Sequence, residues 1–280
     1  MKPYASFSTI YDRCMDNVPY DEWALRLVGI LRESGVPDGG IVADLGCGTG
    51  KMSRRLRDAG YDVIGLDASE EMLMVAQDRE YERLADLCGS EDEESGDEEF
   101  DDSGRITYLC QDVRSFELYG TTAAMVSVCD TLNYLTTEDE LAETFRLVNN
   151  YLDKDGVFCF DMKTPRYYEK VLGNGVRVED YDDSTLIWDN AYDAENGLNE
   201  YRLTIFLREG DGPEEDRYVR SDETHVQRAY SLETIKELLA QSGMTFVAAY
   251  DGYTKEPATE TTERFVIVAK EGFQSNKYYG

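Results

Sequence analysis

A chain of 280 residues with 41% hydrophobic and 11% aromatic residues carries enough apolar material for one substantial core plus an inserted lobe, which excludes a disordered chain. Asp and Glu number 58 against 28 Lys and Arg, a formal net charge of -30, so a phosphate backbone is repelled and nucleic acid is a disfavoured partner. The six cysteines are scattered, with no CxxC pair and no histidine beside them, so they read as reduced thiols of a cytoplasmic protein without a metal site.

Residues 1–20 show neither an apolar core nor a basic start, and no apolar run is long enough to span a bilayer, so no membrane association is expected. Residues 10–34 have helical spacing and form a predicted helical cap over 1–40. From 41 onward, short runs rich in β-branched and aromatic residues alternate with helical patterns, the signature of a parallel sheet covered by helices. Five strands are predicted, at 41–45, 62–66, 106–110, 123–128 and 157–161, each ending at a polar or acidic residue. In open α/β sheets ligands bind beyond the carboxyl ends of strands, so these terminal residues are where a site is sought. A helix is expected at 69–87, with Met72, Val75, Ala76 and Leu84 on its apolar side, then an acidic loop over 89–104. Nine of the twelve residues 91–102 are Asp or Glu, and such a run repels itself and has nothing to bury.

After the fifth strand the period changes to alternation at 186–190, 200–207 and 217–228, which predicts an inserted antiparallel β-lobe over 173–228. A helix at 231–242, opened by Ser231 as its N-cap, and strands at 245–250 and 264–269 then return to the main body, which spans 41–172 and 229–272. Lobes of this kind can pair between subunits, so a homodimer through the β-lobe is one arrangement the sequence allows.

The strongest local signal is the run Ile41 to Gly50, a buried strand entering a glycine-rich turn before the helix at 51–59. Gly46, Gly48 and Gly50 permit positive φ and bring backbone close to a bulky group. A turn of this form also serves nicotinamide dinucleotides, so alone it establishes a nucleotide-like pocket. Asp44, before the glycines, is placed to accept from a cationic amine; Asp67, ending the second strand, suits the two hydroxyls of a ribose. Capping is the other use of both carboxylates. His225 is the only histidine and the candidate general base, with Arg228 and Tyr230 close by. Tyr11, Tyr20 and Trp188 are candidate aromatic lid residues, since a ring face favours a sulfonium or ammonium cation.

Asp44-Leu-Gly-Cys-Gly-Thr-Gly50, Gly65-Leu-Asp-Ala-Ser69, Cys110-Gln-Asp-Val-Arg-Ser-Phe116 and Cys129-Asp-Thr-Leu-Asn-Tyr-Leu135 together resemble the class I S-adenosylmethionine-dependent methyltransferases, and the YqeM-type bacterial group in particular. Tyr11-Asp12, Val18 to Asp21, His225 to Tyr230 and the segment from Gly252 to Phe265 extend the likeness over nearly the whole chain. The resemblance implies a Rossmann-like, mostly parallel seven-stranded sheet with helices on both faces, and S-adenosylmethionine as cofactor with S-adenosylhomocysteine as product. It implies a cofactor set of Tyr11, Asp44, Gly46, Cys47, Gly48, Asp67, Ala68, Met72, Gln111, Asp112, Val113 and Cys129, with Asp112 and the Val113 amide reading adenine and Met72 packing on its face. Asp112 could instead cap a helix at 113–117. The segment from Asp130 to Tyr134 should border the acceptor, making Asp130 a second catalytic candidate beside His225, and Asn133, Tyr134, Tyr20, Trp188 and Arg228 candidate acceptor contacts. The segment has no Asn/Asp-Pro-Pro-Tyr arrangement and Cys129 has no flanking Pro, which weighs against methylation of base amino groups or of cytosine carbon. The expected activity is methyl transfer to a small molecule. A noncatalytic adenosyl-ligand binder, a methyltransferase for protein or RNA, and a nicotinamide-dependent oxidoreductase are the other readings.

Overall fold

The computed structural model describes residues 11–13, 15, 18–89, 106–209, 217–273 and 277. The acidic run 91–102 and Cys14 lie outside them. The alternating part of the chain forms α1 (Tyr20–Glu33), β1 (Ile41–Leu45), α2 (Lys51–Asp58), β2 (Asp62–Asp67), α3 (Glu70–Gly89), β3 (Thr107–Cys110), β4 (Thr122–Ser127), α4 (Glu138–Tyr151) and β5 (Leu152–Lys163). A π-helical turn (Tyr167–Leu172) leads into β6 (Gly175–Asp180), β7 (Ser184–Asp193), β8 (Leu198–Arg208) and β9 (Tyr218–Arg228), and α5 (Leu232–Gln241), β10 (Thr245–Asp251) and β11 (Arg264–Lys270) complete the chain.

The main sheet has seven strands in the order β10-β11-β5-β4-β1-β2-β3; β11 runs antiparallel to both its neighbours and the other pairs are parallel. β4 is buried at every residue and β1 at all but its first, which is why both read as continuous apolar runs. Leu27 and Leu31 of α1 with Met52 and Leu56 of α2 cover one face, and Phe145 and Val148 of α4 with Ile235 and Leu239 of α5 cover the other. Each such side chain contributes about 1.5–3 kcal/mol of burial. Ser231 caps α5 as expected, its Oγ accepting from Thr234 N at 3.0 Å.

The four strands β6 to β9 form a separate antiparallel sheet in sequence order. Its core gathers Tyr168, Leu186, Tyr201, Leu203 and Ile205. Inside it the hydroxyls of Tyr168 and Tyr201 each donate to Gln227 Oε1 at 2.8 Å.

Three local expectations change. β6 was not foreseen, because every one of its residues is exposed and its valines cover nothing. β5 runs five residues further toward its start than the apolar stretch suggests, through a polar segment that includes Asp155 at φ 64°. Residues 113–117 are not helical; a short turn there is closed by Ser115 N donating to Asp112 O at 3.0 Å.

Candidate functional site

The carboxyl ends of β1, β2, β3 and β4 converge on a cleft of about 770 Å³. Its floor is the turn between β1 and α2. There Gly46 and Gly48 take φ of 72° and 54°, the left-handed region that favours glycine. A Cβ on Gly46 would stand 2.3 Å from Thr131 Cγ2, so this glycine lets the β1 turn and the loop after β4 close on each other. A Cβ on Gly48, which lines the cleft, would meet nothing within 4 Å.

Asp44 lies beneath that floor, fully buried. Its Oδ2 accepts from Ser53 Oγ at 2.6 Å, while Oδ1 has no hydrogen-bond partner among the described residues. Burial pushes its carboxyl up to about 7, the Ser53 hydrogen bonds opposing this and the Asp67 charge adding to it. Asp67 lines the wall: Oδ2 accepts from Gly48 N at 2.8 Å and Oδ1 from Ser69 N at 2.9 Å. Those bonds aim both oxygens along the cleft rim, and burial raises this carboxyl too. Cys47 is buried against the same turn, its thiol pushed well above the ordinary range by desolvation.

Ala68, Met72, Gln111, Asp112 and Val113 line the next part of the wall. Met72 is only 2% exposed, so it presents a fixed apolar surface. Gln111 is folded onto Glu117, donating to its carbonyl at 3.1 Å and accepting from its amide at 2.7 Å. Asp112 accepts from Arg114 N at 2.9 Å, Nε at 2.9 Å and Nη2 at 2.6 Å, and Arg114 continues to Glu140 Oε1 at 2.9 Å. Those Arg114 hydrogen bonds hold Asp112 below the usual carboxylate range. Arg114 is a cleft residue that motif reading missed. Its signal was its place two residues after the acid.

At the far end stand Tyr11, Tyr20, Cys129, Thr131, Tyr134 and, from β9, Thr224 and Val226. Cys129 and Asp130 take φ of 57° and 56°, both unfavourable for residues with a Cβ. Asp161 holds them there: its carboxylate accepts from Cys129 N at 3.0 Å and Asp130 N at 2.7 Å. It also accepts from Tyr253 and from Arg264 Nη1 at 2.7 Å. The Cys129 thiol donates to Tyr20 Oη at 3.2 Å. Burial raises Tyr11 and Tyr20 well above the ordinary phenol range.

Several candidates stand elsewhere. Asp130 is turned away from the cleft, 3.0 Å from Lys163 and from Arg264 and accepting from Gln227 Nε2 at 2.8 Å. Burial works against its charge, but the two cations bring it below the ordinary carboxylate value. Such a saturated carboxylate organises the loop and has no free oxygen to offer an acceptor. Asn133 is fully buried, donating to the carbonyls of Lys163 at 3.1 Å and Arg228 at 2.8 Å and accepting from Lys163 N at 2.9 Å, so it staples β5 to β9. Arg228 caps the Thr136 carbonyl at 3.1 Å and pairs with Glu138. Trp188 packs edge-on against Tyr201, centroids 4.9 Å apart, within the lobe. Strand alternation places His225 on the inner side of β9 while Thr224 and Val226 face the cleft. His225 is 2% exposed, its Nδ1 lies 3.0 Å from Tyr134 Oη, and its Nε2 lies 3.2 Å from Glu223 Oε2.

A protein of Geobacillus sp. (strain WCH70) named as a methyltransferase is 30% identical to this chain over 268 residues, covering 95% of this chain and 99% of that one. The chain belongs to the S-adenosylmethionine-dependent methyltransferases. A methyltransferase-domain family model matches residues 42–156, the part that builds the floor and walls of the cleft. The methyltransferase YqeM of Bacillus subtilis (strain 168) is 29% identical over 268 residues, covering 95% of this chain and 96% of its own. An S-adenosylmethionine-dependent methyltransferase from Clostridium acetobutylicum is similar in structure, with TM-score 0.78 at 26% identity over 97% of this chain and all (100%) of that one. The residues of this methyltransferase fit the family's cofactor on their own chemistry. A buried carboxylate oxygen of Asp44 lacks a donor, Asp67 borders the cleft with lone pairs to spare, and Gly48 leaves room above the turn. Among the described residues no cluster of three or more His, Cys, Asp or Glu side chains is placed to hold a metal ion, and no helix is long and apolar enough to cross a membrane.

Proposed function

We propose that the protein binds S-adenosylmethionine in this cleft and transfers its methyl group to a small-molecule acceptor held at the Tyr11, Tyr20 and Tyr134 end. The observation that carries the reading is the buried, donor-less Oδ1 of Asp44 behind a glycine turn whose Gly48 borders the cleft with open space beside it. A buried carboxylate oxygen without a donor is costly, and a ligand ammonium would relieve that cost. Asp67 would take the ribose hydroxyls, the Asp112 and Val113 edge with Met72 the adenine, and the aromatic end the sulfonium.

When bound, S-adenosylmethionine supplies an electrophilic methyl carbon, and in-line attack by an acceptor lone pair breaks its C–S bond with the electron pair left on sulfur. The protein has to align that attack and keep water out. Thr131, held by its bond to Val128 O at 3.0 Å and by contact with Gly46, fixes the loop beside the reacting end. Tyr11, Tyr20 and Tyr134 border that end with rings and hydroxyls, and Lys51 lines the cleft with its Nζ 5.3 Å from the Tyr20 ring centroid. The net charge of -30 favours a small molecule over nucleic acid. The test is incubation with methyl-labelled S-adenosylmethionine and a panel of small amines and alcohols, scored by labelled product and S-adenosylhomocysteine together. Binding without product across a broad panel would favour a noncatalytic ligand-binding role.

A further inference from the structure

Asp112 follows β3 at the cleft wall, and a single cation two residues on holds its carboxylate with three donors. Oδ1 accepts from Arg114 N and Arg114 Nε, both at 2.9 Å, and Oδ2 accepts from Arg114 Nη2 at 2.6 Å. The Nε and Nη2 bonds form a two-pronged pairing, which fixes the plane of a carboxylate as well as its position. Arg114 is itself anchored. Its Nη1 donates to Glu140 Oε1 at 2.9 Å, and Glu140 Oε2 accepts from Thr137 N and Thr137 Oγ1, each at 3.1 Å, in the capping box that opens α4. The orientation of Asp112 is therefore set from the start of α4, and both Asp112 and Arg114 line the cleft.

A carboxylate offers about four lone-pair positions. Arg114 takes two on Oδ1 and one on Oδ2, so among the described residues one position on Oδ2 is left for a ligand donor. The Arg114 hydrogen bonds also hold the group below the usual carboxylate range, so it stays ionised and only accepts. A 6-amino group on a purine can donate to it, whereas a 6-oxo group meets it lone pair to lone pair. Resting on the S-adenosylmethionine reading of the cleft, we infer that Arg114 is the positioning residue for the base: by fixing the plane of Asp112 it makes the site select a 6-aminopurine over a 6-oxopurine. Arg114 acts through Asp112.

The Arg114 side chain is 49% exposed, and ion pairs that exposed add little to stability, so Arg114→Met should fold with Tm within about 3 °C of wild type. The bond from the residue 114 amide remains in that variant, so Asp112 keeps its place in the turn and loses only the fork. Calorimetric titration of the full chain with S-adenosylhomocysteine, and with its 6-oxo counterpart S-inosylhomocysteine as competitor, reads the selectivity and needs no acceptor. Wild type should favour the amino ligand at least about 100-fold. In Arg114→Met that ratio should fall about tenfold, entirely through weaker binding of S-adenosylhomocysteine. Asp112→Ala should lose at least as much, and adding Arg114→Met to it should weaken binding less than about twofold further, because the two residues act as a unit. Equal weakening of both ligands in Arg114→Met, or losses that add in the double variant, would overturn the inference. So would a wild type that binds both ligands alike. Failure of wild type to bind S-adenosylhomocysteine at all would defeat the cofactor reading and this inference with it, whereas the other results defeat the inference alone.

Discussion

Asp161 and Arg264 form an ion pair 2.7 Å long across adjacent strands β5 and β11, with the carboxylate side chain fully buried and the guanidinium 19% exposed. The same carboxylate grips the amides of Cys129 and Asp130, and the same guanidinium reaches Asp130. The antiparallel strand β11, the strand furthest from the glycine turn in sequence, therefore helps set the conformation of the loop after β4.

Arg264→Met would remove one cation from two buried carboxylates and leave only Lys163 near Asp130. Breaking a buried pair by deleting one partner costs about 3–5 kcal/mol, and that is the loss of unfolding free energy expected in urea titration. A change under about 1 kcal/mol would mean the network is dispensable.

Two alanine substitutions two residues apart in the same turn should differ in kind. Gly46→Ala drives a Cβ to 2.3 Å from Thr131 Cγ2 at φ 72°, so it should lower Tm by several degrees and weaken cofactor binding. Gly48→Ala meets no neighbour and carries only the left-handed backbone cost of about 1–2 kcal/mol. Gly48 lines the cleft, so binding should fall further than stability does. Thermal unfolding and calorimetric titration of both variants check the contrast.

The raised Asp44 carboxyl makes a signed prediction in pH. A carboxyl at about 7 in the folded protein and about 3.9 unfolded holds its proton longer when folded, so its contribution is complete at low pH and is lost as pH rises toward 7. Wild type should therefore lose stability relative to Asp44→Asn between about pH 4 and pH 7 and level off above that. Cofactor binding has the opposite slope, because the ligand ammonium needs the ionised carboxylate. Affinity should climb by up to about tenfold per unit below pH 7, with measurements kept below about 7.5, where an α-amino group begins to lose its own proton. A flat affinity profile in wild type would contradict a role for Asp44 in holding the amine.

Much of the glycine-turn end of the cleft was legible because its determinants are local. A glycine turn between a buried strand and a helix, and an acid at the end of the next strand, can be read within thirty or so residues, and Asp67 does lie on Gly48. The far end of the cleft was less legible because its determinants are pairings between distant segments. Asp130 looks like a reactive acid until Lys163 and Arg264 saturate it. His225 reads as a base facing substrate, but the register of β9 against β8 turns it inward and presents Thr224 and Val226 instead. Strand β6 buries nothing, so its valines left no contrast between faces to read.

The most direct test of the central claim is calorimetric titration of S-adenosylmethionine and S-adenosylhomocysteine into the full chain, beside Asp67→Ala. Two hydrogen bonds to a charged group are worth about 1.5–3 kcal/mol each, so the account predicts saturable one-to-one binding to wild type and an affinity at least about 100-fold weaker in a folded Asp67→Ala. Failure of folded wild type to bind either ligand, or equal affinity in the variant, would contradict it.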